Sequence, residues 1–153
     1  MDHEQHCRQT QHEPYRLTVY CQNHTGYLSL CLLLSKAWME NQYLGRGELK
    51  LEWLTPENCK GLICLSGGPL GIIERLLMGK TPEEADAVTE QLKKAFPGRL
   101  YLEVQRAGRK GDDALVAKMA GHSVAQKLPL VATHPVQFLK KEDFTAHEVR
   151  VCI

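Results

Sequence analysis

The sequence predicts an α/β fold in which short strands and helices alternate along the chain. Two observations indicate this: strand-like runs of four to six residues recur, and segments with apolar residues at three- and four-residue spacing lie between them. Strands separated by helices of this length are typical of parallel strands joined by crossover connections. The 153 residues, 43% of them hydrophobic and 24% charged, suffice for one domain with its own core.

The first unit of this pattern spans residues 16–40. Residues 16–21 alternate in hydrophobicity, which predicts a strand. Residues 27–40 have apolar side chains at helical spacing, and Thr25 is a candidate N-cap. Residues 48–60 combine strand-like alternation with a Thr-Pro turn, so no element is predicted there. The predicted apolar stripe of the helix comprises Leu30, Leu33, Leu34, Ala37 and Trp38.

The second unit begins with residues 62–65, a continuous apolar run between glycine-containing turns. Such a run is typical of a strand buried on both faces. Residues 72–78 predict a helix that ends at Gly79. Thr81 and Pro82 then provide a cap and a first-turn proline for a second helix, which continues to Phe96.

The last part of the chain repeats the pattern twice. Residues 100–105 and 129–132 predict strands, and residues 108–113 lead into a helix between them. A final helix begins at Asp143 or Thr145 and runs to Ile153. The helix between the strands has its predicted apolar stripe at Leu115, Val116, Met119, Ala120 and Val124.

Composition excludes several classes of protein. A formal net charge of +1 argues against a surface dedicated to nucleic acid or anionic membranes. The longest apolar stretch, residues 28–34, is too short to span a bilayer, and the polar start of the chain lacks a secretory signal, so we expect a cytoplasmic protein. The six cysteines include no C-x-x-C pair and are expected to be reduced. We divide the chain into a disordered leader, residues 1–14, and one domain, residues 15–153.

The short motifs with known chemistry are all incomplete. Gly79 opens a Gly-Lys-Thr sequence, but a phosphate-binding loop would need glycine where Glu74 stands. Residues 66–71 follow a strand, yet serine replaces the first glycine of the dinucleotide fingerprint and a proline removes an amide. His147 and Glu148 begin a zincin-like helix that lacks its second histidine. We therefore predict no catalytic residue from motifs.

Polar residues follow three of the predicted strands. In a parallel α/β fold these strand ends converge on one face, where binding sites are commonly built. A solvated rim without function explains the same pattern equally well. The residues are Ser66 after the second strand, Gln105, Arg106 and Arg109 after the third, and Thr133, His134 and Gln137 after the fourth.

Five collinear segments resemble the PHP (polymerase and histidinol phosphatase) domain family, in the form found at the start of bacterial DNA polymerase III alpha subunits. The resemblance covers about residues 16–153. Its specificity comes from the order and spacing of the segments rather than from any single motif. The segments are NHTGYLSL (23–30) with LSKA (34–37), GLICLSGG (61–68), YLEVQR (101–106), PLVAT (129–133) and AHE (146–148).

The resemblance implies a seven-stranded, distorted TIM-like (βα) barrel, of which this chain would hold the last four strands. The chain is then expected to be a fragment. Active members of the family bind a three-metal cluster through His, Asp, Glu and Cys. Matched position by position, four of these ligands are replaced here by residues that bind divalent metals poorly or not at all, so we expect no metal and no cofactor. The replacements are Arg16, Gly68, Pro135 and Gln137.

The function implied is that of a fragment of a replicative DNA-directed DNA polymerase, a nucleotidyltransferase whose active site lies outside this chain. The expected partners are the proofreading exonuclease subunit and the polymerase core, with DNA contacted only through the parent protein and no membrane contact. Arg106, Arg109, His134 and Gln137 are expected to line the former metal site. A free-standing, metal-dependent PHP-type phosphoesterase and a small α/β binding protein are the alternatives.

Overall fold

A computed structural model describes residues 13–79 and 81–152. Its centre is a four-stranded sheet with the order β1-β4-β5-β6, and a separate two-stranded hairpin is formed by β2 and β3. The strands are β1 (Thr18–Cys21), β2 (Gln42–Tyr43), β3 (Arg46–Gly47), β4 (Leu62–Leu65), β5 (Leu100–Gln105) and β6 (Leu130–Thr133). The four predicted strands are thus confirmed.

Helices connect the strands of the sheet. They are α1 (His24–Glu40), α2 (Ile72–Met78), α3 (Pro82–Ala95), α4 (Asp112–Gln126) and α5 (Phe144–Cys152). Short 3₁₀ turns occur at Leu51–Trp53, Gly68–Leu70 and Lys141–Asp143, the first of them in the segment for which the sequence predicted no element. No helix in the described ranges is long and apolar enough to cross a membrane.

Strands β4, β5 and β6 are parallel, as predicted, and end at one edge of the sheet. Leu65 pairs with Tyr101, and Gln105 pairs with Thr133. The residues that follow β4, β5 and β6 therefore lie along the same edge.

The direction of β1 corrects the prediction that all strands are parallel. β1 is antiparallel to β4, with Thr18 opposite Leu65 and Cys21 opposite Leu62. The hairpin and the 3₁₀ turn after α1 return the chain to the end of the sheet at which β1 finished, so β4 starts beside Cys21. Hydrophobic periodicity does not predict this return, because the return depends on residues 41–61, which have no regular period.

A close approach of two backbone segments fixes the start of α1. The Gln22 amide donates to the Gly61 carbonyl at 2.9 Å, and a Cβ on Gly26 would collide with that same carbonyl. The N-cap is Asn23 rather than the predicted Thr25, because the Asn23 side chain accepts from the Gly26 amide at 3.0 Å. Two glycines thus allow α1 to lie against the turn that leads into β4.

The core contains residues from β4, β5 and helices α1 to α4. Leu62, Ile73, Leu92, Leu102 and Met119 are almost fully buried. The buried thiols of Cys59 and Cys64 belong to the same core, and burial raises the pKa of the Cys64 thiol to about 12.

On helices α1 and α4 the buried face differs from the predicted apolar stripe. On α1, Leu33 and Ala37 are buried, but Leu34 and Trp38 are about half exposed. On α4, Leu115 and Met119 are buried, whereas Ala120 is exposed and Val124 is 79% exposed. The buried face of α4 instead continues to His122, whose Nε2 lies 2.9 Å from Thr89 Oγ1 on α3. α4 packs mainly against β5 and α2, an arrangement that periodicity alone does not reveal.

The predicted leader and domain boundary are only partly covered by the structure, since residues 1–12 lie outside the described ranges. Glu13 is described, and its carboxylate forms an ion pair with Arg75 on α2 at 2.6 Å.

We expect Gly26→Ala to destabilise the fold by roughly 1–3 kcal/mol, since the new methyl group would collide with the Gly61 carbonyl. Gly121→Ala is the matched control: this α4 position has nothing within 4 Å of an added Cβ, so helix propensity should raise stability by up to about 1 kcal/mol. Urea denaturation followed by circular dichroism measures both. Equal effects of the two substitutions would contradict the close approach.

Candidate functional site

The Ser66 hydroxyl is the centre of a buried polar cluster at the edge where β4, β5 and β6 end. Ser66 is fully buried, directly after β4. Its Oγ accepts a hydrogen bond from the Glu103 amide of β5 at 2.8 Å and donates one to Glu74 Oε1 of α2. One hydroxyl group therefore connects two strands and a helix.

The Glu103 side chain extends the cluster toward β6. Its Oε1 accepts from Thr133 Oγ1 at 2.5 Å and from Gln105 Nε2 at 3.1 Å. Gln105 Nε2 also donates to Thr133 Oγ1 at 3.2 Å. The prediction that Ser66, Gln105 and Thr133 share one edge is confirmed, because Glu103 joins them through hydrogen bonds.

Two carboxyl groups are buried in this cluster. Glu74 is 0% exposed and Glu103 is 5% exposed, and the Oε2 atom of each has no hydrogen-bond partner among the residues that the structure describes. Burial raises the pKa of Glu74 to about 7; the Ser66 hydrogen bond opposes this shift, and the charge of Glu103 adds to it. Glu74 therefore titrates near neutral pH, where an exposed glutamate is already ionised.

Two glycines make room for these side chains. Gly68 has a φ of +60°, and a Cβ there would lie 3.2 Å from Gln105 Nε2. A Cβ on Gly71 would collide with both Glu74 Oε2 and the Ser66 carbonyl oxygen. The absence of a side chain at Gly71 therefore leaves the space that Glu74 Oε2 and the Ser66 carbonyl oxygen occupy.

Arg109 forms the exposed border of the cluster. Its guanidinium donates to Gln105 Oε1 at 3.0 Å and lies 3.4 Å from Asp112. Asp112 Oδ2 accepts from the Ala107 and Arg109 amides at 2.8 and 3.1 Å, which orders the loop before α4. Burial works against ionisation of Asp112, but these amides and the Arg109 charge outweigh it and lower its pKa.

The remaining predicted rim residues point elsewhere or lie beyond the cluster. Arg106 pairs with Asp113 of α4 at 2.8 Å, and both side chains are exposed. His134 and Gln137 lie in the exposed segment after β6. Of the four predicted rim residues, Arg109 is thus the one for which the structure gives a direct hydrogen bond to the cluster.

The four positions matched to family metal ligands lie at or beyond this edge. The Arg16 amide donates to the Leu70 carbonyl at 2.9 Å, which places Arg16 beside the turn that contains Gly68. Pro135 and Gln137 follow β6.

These residues do not fit a three-metal cluster. Arg16 supplies a cation, Gly68 and Pro135 have no side-chain ligand atom, and Gln137 supplies only a neutral amide. Glu74 and Glu103 are good ligand types, but they are two carboxyl groups that already accept hydrogen bonds, Glu74 from Ser66 and Glu103 from Thr133 and Gln105. Across the described residues, no group of three or more His, Cys, Asp or Glu side chains is placed to hold a metal ion.

Sequence reasoning missed the two glutamates. Glu103 lies within an otherwise apolar strand, where a lone charged residue is rarely buried without a partner, and that signal could have identified it. Glu74 lies on a short helix whose rotation depends on the turn at Gly68–Leu70, so the sequence gave no comparable signal for it.

Comparison with known proteins places this edge in a family context. The PHP domain family matches residues 2–107 of the chain. The chain is 39% identical over 140 residues to DNA polymerase III subunit alpha of Pseudomonas fluorescens. Identity to the same subunit of Neisseria meningitidis serogroup A is 37% over 143 residues, and to that of Escherichia coli K12 it is 37% over 137 residues. The aligned parts cover 90 to 92% of this chain but only 12% of each relative.

Replacing Glu74 should change how stability depends on pH. The pKa of Glu74 is about 7 in the fold against an ordinary value of 4.5, so the folded state binds more protons between these values. Stability therefore falls as pH rises from about 4.5 to about 7, with a contribution on the order of 3 kcal/mol from this one group. We expect Glu74→Gln, which keeps the shape and the Ser66 hydrogen bond, to remove that contribution.

The measurement is the free energy of unfolding in urea at a series of pH values. The exposed Glu83 on α3 provides the control, since Glu83→Gln should leave the pH dependence unchanged. If Glu74→Gln showed the same loss of stability with rising pH as the unmodified chain, the buried and protonated state of Glu74 would be wrong.

Proposed function

Because the PHP domain matches residues 2–107, this chain belongs to the PHP domain family, and we propose that it is the PHP region of a bacterial DNA polymerase III alpha subunit. In that role it contributes to DNA replication without chemistry of its own. It is a metal-free scaffold that braces the polymerase core and docks the proofreading exonuclease subunit. DNA is contacted only through the parent polymerase, which acts in the cytoplasm.

The observation that carries the proposal is the conflict between high similarity and a replaced ligand set. The chain retains 39% identity over 90% of its length to one alpha subunit. Yet Arg16, Gly68, Pro135 and Gln137 stand where active members of the family have metal ligands. Retention of the domain together with loss of its ligands favours a structural role over hydrolysis.

The polar cluster supports a scaffold in physical terms. Ser66, Glu103 and Thr133 are joined by hydrogen bonds from strand to strand, and none of the three is exposed. Hydrogen bonds among buried groups stabilise a strand edge, and here they engage the Ser66 and Thr133 hydroxyl groups within the fold. In a complete seven-stranded barrel this edge would lie among the other strand ends, which the proposal assigns to the rest of the parent protein.

Metal analysis tests the scaffold directly. We expect elemental analysis of the purified, untagged chain to show no stoichiometric zinc or manganese. We also expect the chain not to hydrolyse a phosphodiester when either metal is added. The reason is chemical: the four ligand positions supply one cation, one amide and no carboxylate, imidazole or thiolate. Stoichiometric metal together with hydrolysis would favour the PHP-type phosphoesterase instead.

Two control variants identify the source of any metal found. Combined replacement of His3, His6 and His12 by alanine removes the histidines of residues 1–12, while Glu103→Gln removes a carboxylate of the cluster. Metal lost only with the histidines would be adventitious and would leave the scaffold standing. Metal lost only in Glu103→Gln would lie at the strand ends and would overturn the metal-free proposal.

Exonuclease docking is a separate test. We expect the chain to bind a purified proofreading exonuclease subunit of a bacterial replicase in isothermal titration calorimetry, with a measurable heat and a defined stoichiometry. An unrelated nuclease of similar charge is the control. Absence of binding to the exonuclease, or equal binding to both nucleases, would contradict the docking role.

A further inference from the structure

Helix α1 has a second apolar stripe on the side opposite the one it buries. Its buried residues are Gly26, Leu33 and Ala37. At 100° per residue, a further group lies on the opposite side of the helix within an arc of about 120°. We call the part of this group that follows the first helical turn, in which His24 lies, the outer face; it consists of Leu28, Cys31, Leu32, Ser35, Trp38 and Met39.

The outer face is large and exposed. Leu28 is 49%, Leu32 72%, Trp38 52% and Met39 85% exposed. These four side chains together expose on the order of 500 Å² of mostly apolar surface, and the largest patch on a typical monomer is roughly 300–600 Å². A helix that is apolar on both sides is normally covered on both sides.

Charged residues border this face without entering it. Lys36 Nζ lies 4.6 Å from the Trp53 ring centroid and 3.9 Å from Glu40. The charged groups of Lys36 and Glu40 therefore lie to the side of the outer face and not on it. Trp38 is positioned by the hairpin, because a Cβ on Gly47 would lie only 3.0 Å from its indole ring. The outer face is therefore neutral, and its largest side chain is held in place.

We propose that the outer face of α1 pairs with the same face of a second copy of this chain, giving a two-fold symmetric, antiparallel helix pair. Leu28, Leu32, Ser35 and Met39 follow the three- and four-residue spacing of a helix–helix seam. The proposal concerns the surface of the chain itself and holds whether or not the proposed function is correct.

Self-complementarity selects a second copy as the occupant. A two-fold axis through the middle of the outer face sets Leu32 against Ser35 of the other copy, and Leu28 against Met39. A large side chain then meets a small one at the centre, as close packing of two helices requires.

The size of the face also suits a dimer. A standard interface buries about 800 Å² on each partner, with an apolar centre and a polar rim. The outer face provides most of that area, and the polar residues along its border, such as Ser29 and Lys36, supply a rim. A symmetric contact of this kind closes on itself and does not propagate into a fibre.

Sedimentation velocity over a wide range of protein concentration tests the proposal. We expect the 153-residue chain to form a reversible dimer, and Leu32→Glu or Met39→Glu to weaken dimerisation by roughly thirtyfold or more, the effect expected of a hot-spot residue. Both side chains are exposed, so circular dichroism should show an unchanged fold. Val124→Glu on α4, at a position 79% exposed, is the control and should leave the dimer intact.

A second pair of variants tests the two-fold register. Ser35→Leu alone should weaken the dimer, because two leucines would then meet at the centre of the interface. Combining it with Leu32→Ser exchanges the large and small positions and should restore dimerisation. A chain that stays monomeric at all concentrations would overturn the proposal. Equal weakening by Val124→Glu and Leu32→Glu would also overturn it, by assigning the dimer to another surface.

Discussion

The strand-end edge depends on the two hydrogen bonds of the Ser66 hydroxyl group. This hydroxyl accepts a hydrogen bond from the Glu103 amide of β5 and donates one to Glu74 of α2. A buried amide or carboxylate that loses its partner costs about 1–3 kcal/mol, so the two bonds together add to the apolar packing at this edge. The short helix α2 needs such tertiary contacts, here the Glu74 hydrogen bond and the buried Ile73, because seven residues do not form a stable helix alone.

The same edge explains why a carboxyl pair can be buried without a cation. Glu103 spreads its charge over hydrogen bonds from Thr133 and Gln105, whereas Glu74 has one side-chain donor and a pKa of about 7. Because Glu74 accepts a proton near neutral pH, the pair does not carry two full charges in the interior. The proton on Glu74 thus reduces the repulsion between the two buried carboxyl groups.

The sequence predicted the elements well because each has a clear period, and it predicted their arrangement less well. The strands at residues 62–65 and 100–105 and the helix at 72–78 match the structure residue for residue. The antiparallel direction of β1 was missed because it is decided by a connection without a period. Glu74 was not predicted as a site residue because its position depends on the turn that orients α2 toward the Ser66 hydroxyl. This is a tertiary effect, and the local spacing of residues does not indicate it. Ser66, Gln105 and Thr133 could be placed at one edge because parallel strands end together.

Gly68 leaves room for the hydrogen-bond network at the strand-end edge. The resemblance to the PHP family matches this position to a cysteine ligand, but here a Cβ would already lie 3.2 Å from the Gln105 amide nitrogen. The space is therefore occupied by the amide that connects Glu103 to Thr133. A metal cluster cross-links strand ends through ionic bonds, and this network cross-links them through hydrogen bonds instead. These hydrogen bonds connect the ends of the parallel strands, so the edge is ordered by side chains of the chain itself.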